Sequence, residues 1–89
     1  MLYWEYRICK EKRTYEFNGK VEECYEYGVI EVYTENDEIE GWCDVRKDVL
    51  VTYDLEDMYS IVKAIKRAFK KPVLLIEGED LIETEEVLC

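Results

Sequence analysis

Two turn signals constrain the fold of this chain more than any other feature. Asn18-Gly19 is typical of a two-residue hairpin loop, because both residue types tolerate the positive φ of a type I′ turn. Asn36-Asp37 is a second turn of the same kind. Around both turns apolar and polar side chains alternate, as they do in half-buried strands. The sequence therefore predicts three antiparallel strands within residues 2–45.

A single helix is predicted over residues 54–71. Asp54 is a suitable N-cap, and Pro72 ends the helix because proline has no backbone N–H. One stripe of apolar side chains repeats at helical spacing: Leu55, Met58, Ile61, Val62, Ile65 and Phe69. The basic side chains lie towards the carboxyl end, where the helix dipole favours cations: Lys63, Lys66, Arg67, Lys70 and Lys71.

The C-terminal part adds a strand. Residues 73–77, VLLIE, predict a short buried strand or an extended segment that returns to the sheet. Residues 78–89 could form a short helix, an edge strand or a frayed acidic tail. The order β-β-β-α-β in one domain, residues 1–89, predicts an α+β fold. We expect an antiparallel sheet of three to four strands with one amphipathic helix packed on one face.

Register arithmetic divides the residues of the second hairpin between two faces. A loop at residues 36–37 sets Ile30 opposite Cys43 and Val32 opposite Gly41, and this apolar face is expected to lie under the helix. The other face then carries Tyr33 and Trp42 as diagonal neighbours among carboxylates.

The first hairpin needs an irregularity to agree with that division. A loop at residues 18–19 alone would set Ile30 against Arg7. We therefore expect a bulge or a longer connection between Lys10 and Cys24 that brings Ile8 opposite Ile30, because a one-residue slip moves every side chain to the other face.

The aromatic and acidic face is the candidate binding surface. Tyrosine and tryptophan are enriched at binding hot spots, and the carboxylates around them favour a basic partner. The alternative is that these residues are ordinary cross-strand pairs, or are covered by the C-terminal tail. The predicted partner-binding residues are Glu31, Tyr33, Glu35, Asp37, Glu38, Glu40, Trp42 and Asp44.

The net charge of −10 limits the partners. Residues 72–89 contain six acids and no base. Such a field repels phosphate backbones and anionic membranes, so direct binding to nucleic acid or membrane is disfavoured and a basic protein surface is favoured. No signal peptide or long apolar segment is evident, so we expect a cytoplasmic location in a bacterial or infected host cell.

Catalytic and metal-binding residue patterns are not found in the sequence. It has no histidine, its one serine is Ser60 within the predicted helix, and it has no closely spaced cysteine pair. Residues 34–41, TENDEIEG, lack the ligand spacing of a calcium loop. We expect no enzyme activity, cofactor or metal, and free thiols at Cys9, Cys24, Cys43 and Cys89.

Three stretches, WEYRI, YGVIEVYTENDEIEGW and DLEDMYSIVKAIKRAFKKPVL, resemble a family of small bacterial and phage-borne proteins. The family pattern runs W-x-Y-R, then Y-G-x-x-E-V-Y with an acidic turn, then D-L-E-x-M and K-P-V-L. The present sequence departs from it in the insertion EKRTYEFNGKVEECYE, in the acidic tail, and at Ile30-Glu31, where the pattern has a histidine. The resemblance implies the β-β-β-α order and says nothing about activity.

The sequence thus favours a non-enzymatic, acidic protein-binding module. Its sharpest form is an inhibitor similar to phage anti-CRISPR or DNA-mimic proteins, with carboxylates in the place of phosphates. Two alternatives stay open. One is a structural or regulatory homo-oligomer, such as a homodimer, and the other is a single-stranded nucleic-acid binder that uses the aromatic rings of the sheet.

Overall fold

Five strands and one helix make up residues 1–88, the part of the protein that the computed structural model describes. The elements are β1 (Tyr3–Phe17), β2 (Lys20–Glu35), β3 (Glu38–Cys43), α1 (Leu55–Ala68), β4 (Leu74–Glu77) and β5 (Asp80–Glu83). The α+β class and the single helix are confirmed. Residues 80–83 form an edge strand, one of the three forms left open, and Cys89 lies outside the described residues.

The sheet has one more strand than expected and is mixed. Its order is β3-β2-β1-β4-β5, with β1 and β4 parallel and every other neighbouring pair antiparallel. The parallel pair arises because α1 connects β3, at one edge of the sheet, to β4, which lies on the other side of β1. The prediction of an antiparallel sheet of three to four strands is therefore correct only in outline.

The β1–β2 hairpin turns at Asn18-Gly19, as predicted, with φ values of 52° and 77°. Its ladder then runs without interruption from Phe17 opposite Lys20 to Tyr3 opposite Thr34. The expected bulge or longer connection between Lys10 and Cys24 is therefore wrong, and Arg7 does lie opposite Ile30.

The irregularity lies in the second hairpin instead. Thr34 opposes Ile39 as expected, but the register shifts between Tyr33 and Thr34. Beyond this bulge Val32 opposes Trp42, in place of the expected pair with Gly41. The shift moves Trp42 to the same side of the sheet as Val32.

Each face of the sheet has its own apolar cluster. The helix face is the side that α1 covers, where Ile8 packs with Ala68 and Val73, and with the partly buried Tyr6, Val29 and Ile65. The concave face is the opposite side, whose buried cluster is Cys9, Ile30, Val32, Leu74 and Ile76. The expectation that the helix lies over Ile30 and Val32 is wrong.

The concave face is buried without a second layer because the sheet curls over it. Trp42 of β3 and Leu81 of β5 pack against the same cluster, although three strands separate β3 from β5. Trp42 Nε1 also donates a hydrogen bond of 2.9 Å to the backbone oxygen of Glu79, in the β4–β5 turn. In a flat sheet β3 and β4 would lie about 14 Å apart at a strand spacing of about 4.8 Å, so this hydrogen bond requires strong curvature.

The far end of the β1–β2 hairpin extends beyond the other strands, and we call residues 12–25 the hairpin arm. Every residue in it is exposed. The radius of gyration is 14.8 Å, compared with about 12 Å for a compact protein of this length. Among residues 1–88, no helix is long and apolar enough to cross a membrane.

Candidate functional site

The concave face opens at one end into a cavity of about 760 Å³. Strands β1, β2, β3, β4 and β5 all contribute to it, because the curl of the sheet brings its two edges towards each other. Ile39, Leu74 and Leu81 provide apolar wall. A cavity of this size lies within the range of about 300–1,000 Å³ that is usual for ligand sites.

Carboxylates line the rim of this cavity. Asp37 comes from the β2–β3 turn, Glu38 is the first residue of β3, and Glu83 is the last residue of β5 at the opposite edge of the sheet. All three are exposed, and none forms an ion pair with another residue of the described part. A fourth carboxylate, Glu5, is held by Lys71 at 2.8 Å. The rim is therefore acidic and largely unneutralised.

Arg7 lines the same cavity at its floor. The residue is only 6% exposed, because it lies on β1 between Ile30 of β2 and the segment that leads into β4. Its Nη2 donates a hydrogen bond of 2.6 Å to the backbone oxygen of Pro72, whereas its Nε has no acceptor. Within residues 1–88 no carboxylate lies within ion-pair distance of Arg7. A buried cation and an acidic rim thus share one cavity without neutralising each other.

A second arginine closes the other end of the concave face. Arg46 donates to both carboxylate oxygens of Asp44, at 2.8 and 2.7 Å, and to Glu11 at 2.9 Å. Its aliphatic part lies on Gly28, where a β-carbon would come within 2.9 Å of Cδ. The hydrogen bonds from Arg46 lower the pKa of Asp44 to about 2. This cluster covers Cys9, whose thiol pKa burial raises.

The predicted aromatic pair is divided between the two faces. Tyr33 lies on the helix-face side of β2, where its hydroxyl donates to Glu31 at 3.3 Å and the charge of Glu31 raises the tyrosine pKa. Trp42 lies on the concave face. The expectation that Tyr33 and Trp42 are neighbours on one outer face is wrong, because it ignored the bulge in β3.

The remaining predicted residues have different surroundings. Asp37 and Glu38 line the cavity, and Glu35 faces the N-terminal amino group at 3.8 Å. Asp44 is bound by Arg46, and Glu40 is exposed beside the bulge. The structure therefore brings together two of the eight predicted residues at the cavity, with Trp42 nearby as part of the wall that closes the concave face.

Comparison with models of protein families found no match, and neither the curated proteins nor the solved structures gave one. The resemblance to the bacterial and phage-borne family stays a prediction. The surface must therefore be interpreted from its own chemistry.

Sequence reasoning missed Arg7, Glu83 and Arg46 as residues of this face. Arg7 stands in WEYRIC, among apolar and aromatic neighbours. Apolar residues at both odd and even positions of a strand indicate that both of its faces are buried, so the sequence could have shown that Arg7 is a buried charge. Glu83 and Arg46 gave no comparable signal, because β5 and the position of the 44–50 segment depend on the curl of the sheet.

The N-terminal half of α1 forms a separate exposed surface. Leu55 is 79% exposed and Val62 is 45% exposed, with Met58 and Tyr59 beside them. Of the predicted apolar stripe, Ile65 packs on the sheet, next to Ala68, which was not part of the predicted stripe. No group of three or more His, Cys, Asp or Glu side chains within residues 1–88 is arranged to hold a metal ion.

Proposed function

We propose that this protein is a non-enzymatic, acidic protein-binding module that receives a basic segment of a partner protein at the rim of the concave face. One observation carries the proposal: Asp37, Glu38 and Glu83, from opposite edges of the sheet, line one open cavity without ion-pair partners among the described residues. Unpaired carboxylates at a cavity mouth attract cationic side chains and accelerate their approach.

Three bases of β1 are already neutralised within the fold, which favours a basic rather than an acidic partner. Lys10, Lys12 and Arg13 are each paired with a glutamate at 2.8 to 3.1 Å, so they contribute little free positive charge. In its sharpest form the module is a cytoplasmic inhibitor whose carboxylates occupy phosphate sites of nucleic-acid-processing machinery, as in anti-CRISPR or DNA-mimic proteins.

Calorimetric titration with a short Lys/Arg-rich peptide tests the proposal. The variant Asp37→Asn/Glu38→Gln/Glu83→Gln should weaken binding at least about threefold, since each exposed charge pair contributes roughly 0.2–1 kcal/mol. The matched control is Glu16→Gln/Glu22→Gln/Glu85→Gln, which removes the same charge from exposed residues outside the cavity. Equal weakening by both variants would show that only net charge matters and would refute a rim site.

Salt dependence and a partner screen complete the test. Binding at the exposed rim should weaken steeply between low and high salt, because the Debye length falls from about 30 Å at 0.01 M to about 3 Å at 1 M. Affinity purification with nucleic-acid-processing complexes should retain a partner at low salt. If none is retained, the inhibitor form of the proposal is wrong.

A structural or regulatory homodimer is the second candidate, and the exposed half of α1 favours it. An antiparallel pair of α1 helices would bury Leu55, Met58 and Val62 against the same residues of a second copy. It would also set the acidic first turn, Glu56 and Asp57, near Lys63 of the other copy. This self-complementary charge pattern makes a second copy the preferred occupant of the surface.

Light scattering tests the homodimer. The protein should give twice its mass of 10.7 kDa, and Met58→Glu/Val62→Glu should restore the monomer mass. Phe17→Glu/Val21→Glu is the control, since it introduces the same charges at exposed apolar residues of the hairpin arm. A monomer at all concentrations would refute this candidate.

Single-stranded nucleic-acid binding is less well supported. Tyr25 and Tyr27 are exposed on the sheet, but the nearest cation, Lys10, is bound to Glu86. The sheet therefore offers rings without free positive charge beside them. We expect no mobility shift of an oligonucleotide even at low salt.

A further inference from the structure

The guanidinium of Arg7 is an unneutralised cation inside the fold. The residue is 6% exposed, its Nε has no acceptor, and its one protein hydrogen bond joins Nη2 to the neutral oxygen of Pro72. Buried arginines are ordinarily paired with a carboxylate, because removing a charge from water is costly. Here no carboxylate of residues 1–88 lies within ion-pair distance.

The position of Arg7 makes an external anion the natural partner. The side chain lines the floor of the cavity, whereas the nearest strand neighbour on the same face, Glu5, is held by Lys71. Arg7 can therefore donate charge-assisted hydrogen bonds to an anionic group that enters the cavity from the rim.

We infer that Arg7 is the receptor for a carboxylate carried by the basic segment that the cavity binds. The ligand class is therefore a dipolar peptide segment, with one carboxylate at the floor and Lys or Arg side chains against Asp37, Glu38 and Glu83 at the rim. This inference rests on the proposed function and names the ligand more closely. The source of the carboxylate is either the C-terminus of the partner segment or an Asp or Glu residue within it.

The charge around the cavity favours a carboxylate over a phosphate group. A phosphate monoester carries almost two negative charges at neutral pH and three strong acceptor oxygens. Its approach would pass the three unpaired rim carboxylates and find one free guanidinium, because the other cation of the lining, Lys71, is already held by Glu5. A carboxylate carries one charge and matches a single guanidinium, while the cationic side chains next to it satisfy the rim.

Three Lys/Arg-rich peptides of otherwise identical sequence test the inference by calorimetry. The first has a free C-terminal carboxylate, the second is amidated, and the third is amidated with one internal Asp. The free acid should bind about tenfold more tightly than the amide if a peptide terminus is the source, since a charge-assisted hydrogen bond is worth at least one decade of affinity. Recovery of that affinity by the third peptide would identify an Asp or Glu residue as the source.

The outcomes separate this inference from the proposed function. Equal affinities for all three peptides would refute the role of Arg7 and leave the acidic rim as a site for basic segments. An absence of binding by every peptide would refute both. In the variant Arg7→Lys, which keeps the charge but loses the planar pair of donors, the preference for the free acid should fall severalfold.

A measurement on the unaltered protein tests the inference even if the Arg7→Lys variant does not fold. The Nη–H resonances of Arg7 should shift when the carboxylate peptide is added and stay in place with the amidated peptide, because Nε itself is buried. Arg46 provides the internal control, because its guanidinium is already held by Asp44 and Glu11. Shifts of Arg46 equal to those of Arg7 would overturn the inference.

Discussion

The indole Nε1 of Trp42 donates a hydrogen bond of 2.9 Å to the backbone oxygen of Glu79, and so joins the β3 edge of the sheet to the β4–β5 turn. This contact closes the concave face over Ile30 and Val32, which are completely buried although no helix covers them. The cavity, its acidic rim and the environment of Arg7 all depend on that closure.

Loss of the indole donor should destabilise the fold. Trp42→Phe keeps an aromatic ring but removes the hydrogen bond, and we expect the free energy of unfolding to fall by about 1 kcal/mol. Trp42→Ala should cost more, because it also removes packing against the concave cluster. Urea unfolding followed by circular dichroism measures both. Trp4→Phe is the control, since Trp4 is 57% exposed. An equal loss of unfolding free energy in Trp4→Phe would show that the effect of Trp42→Phe does not come from the hydrogen bond to Glu79.

Gly28 should not tolerate a side chain. Its β-carbon would come within 2.9 Å of Cδ and 3.0 Å of Cγ of Arg46, so Gly28→Ala must displace the arginine from Asp44 and Glu11. We expect a loss of about 1–3 kcal/mol in thermal or urea unfolding.

The control for this prediction is Gly41→Ala, because nothing lies within 4 Å of a β-carbon at Gly41. In an Arg46→Ala background the effect of Gly28→Ala should shrink, since the obstructing side chain is absent. An undiminished loss in that background would assign the effect of Gly28 to another cause.

The contact between Asp44 and Arg46 should make stability depend on acidity. The hydrogen bond from Arg46 lowers the pKa of Asp44 from 3.8 to about 2 in the folded protein. A carboxyl whose pKa is lower when folded stabilises the fold above its ordinary pKa, and that contribution disappears as the pH falls towards the folded value.

The variant Asp44→Asn measures this contribution. At neutral pH it should have a lower urea midpoint than the natural protein, and the difference should disappear between about pH 4 and pH 2. A difference that stays constant over this interval would show that Asp44 stabilises the fold without its charge. The half-exposed position of Asp44 limits the size of the effect.

The cysteines should differ in their reactivity. Cys9 is buried and burial raises the pKa of its thiol, whereas Cys24 and Cys43 are exposed free thiols. Iodoacetamide at neutral pH should therefore label Cys24 and Cys43 well before Cys9, as measured by peptide mapping. In urea the three should react alike. Early labelling of Cys9 in the folded protein would contradict the closed concave face.

Local signals in the sequence were sufficient for α1 and for the two hairpin turns. Asp54 caps α1 through a hydrogen bond of 2.8 Å from the backbone N–H of Asp57, and both predicted turns have positive φ values. The helix ends at Ala68, three residues before its predicted end, because Phe69 and Lys70 already form a turn ahead of Pro72. These features depend on neighbours within a few residues.

The faces of the sheet could not be predicted in the same way. Parity reasoning assumes that one face of a strand is buried, but in β1 both Ile8 and Cys9 are buried, on opposite faces. Which residues share a face depends on the bulge in β3 and on the parallel pairing of β1 with β4, and neither feature has a local signal in the sequence. The acidic rim could not be predicted for the same reason, because Glu83 lies near Asp37 and Glu38 only when the sheet is curled.

The hairpin arm has a consequence for the dynamics of the molecule. Its backbone ladder is continuous with the buried part of β1 and β2, yet no layer covers residues 12–25 on either face. The free energy of local opening should therefore rise along the hairpin, from nearly zero at Asn18-Gly19 to the global value near Cys9 and Gly28. Amide hydrogen exchange would record this as a gradient along two paired strands, so that one continuous hairpin combines a mobile tip with the most protected backbone of the fold.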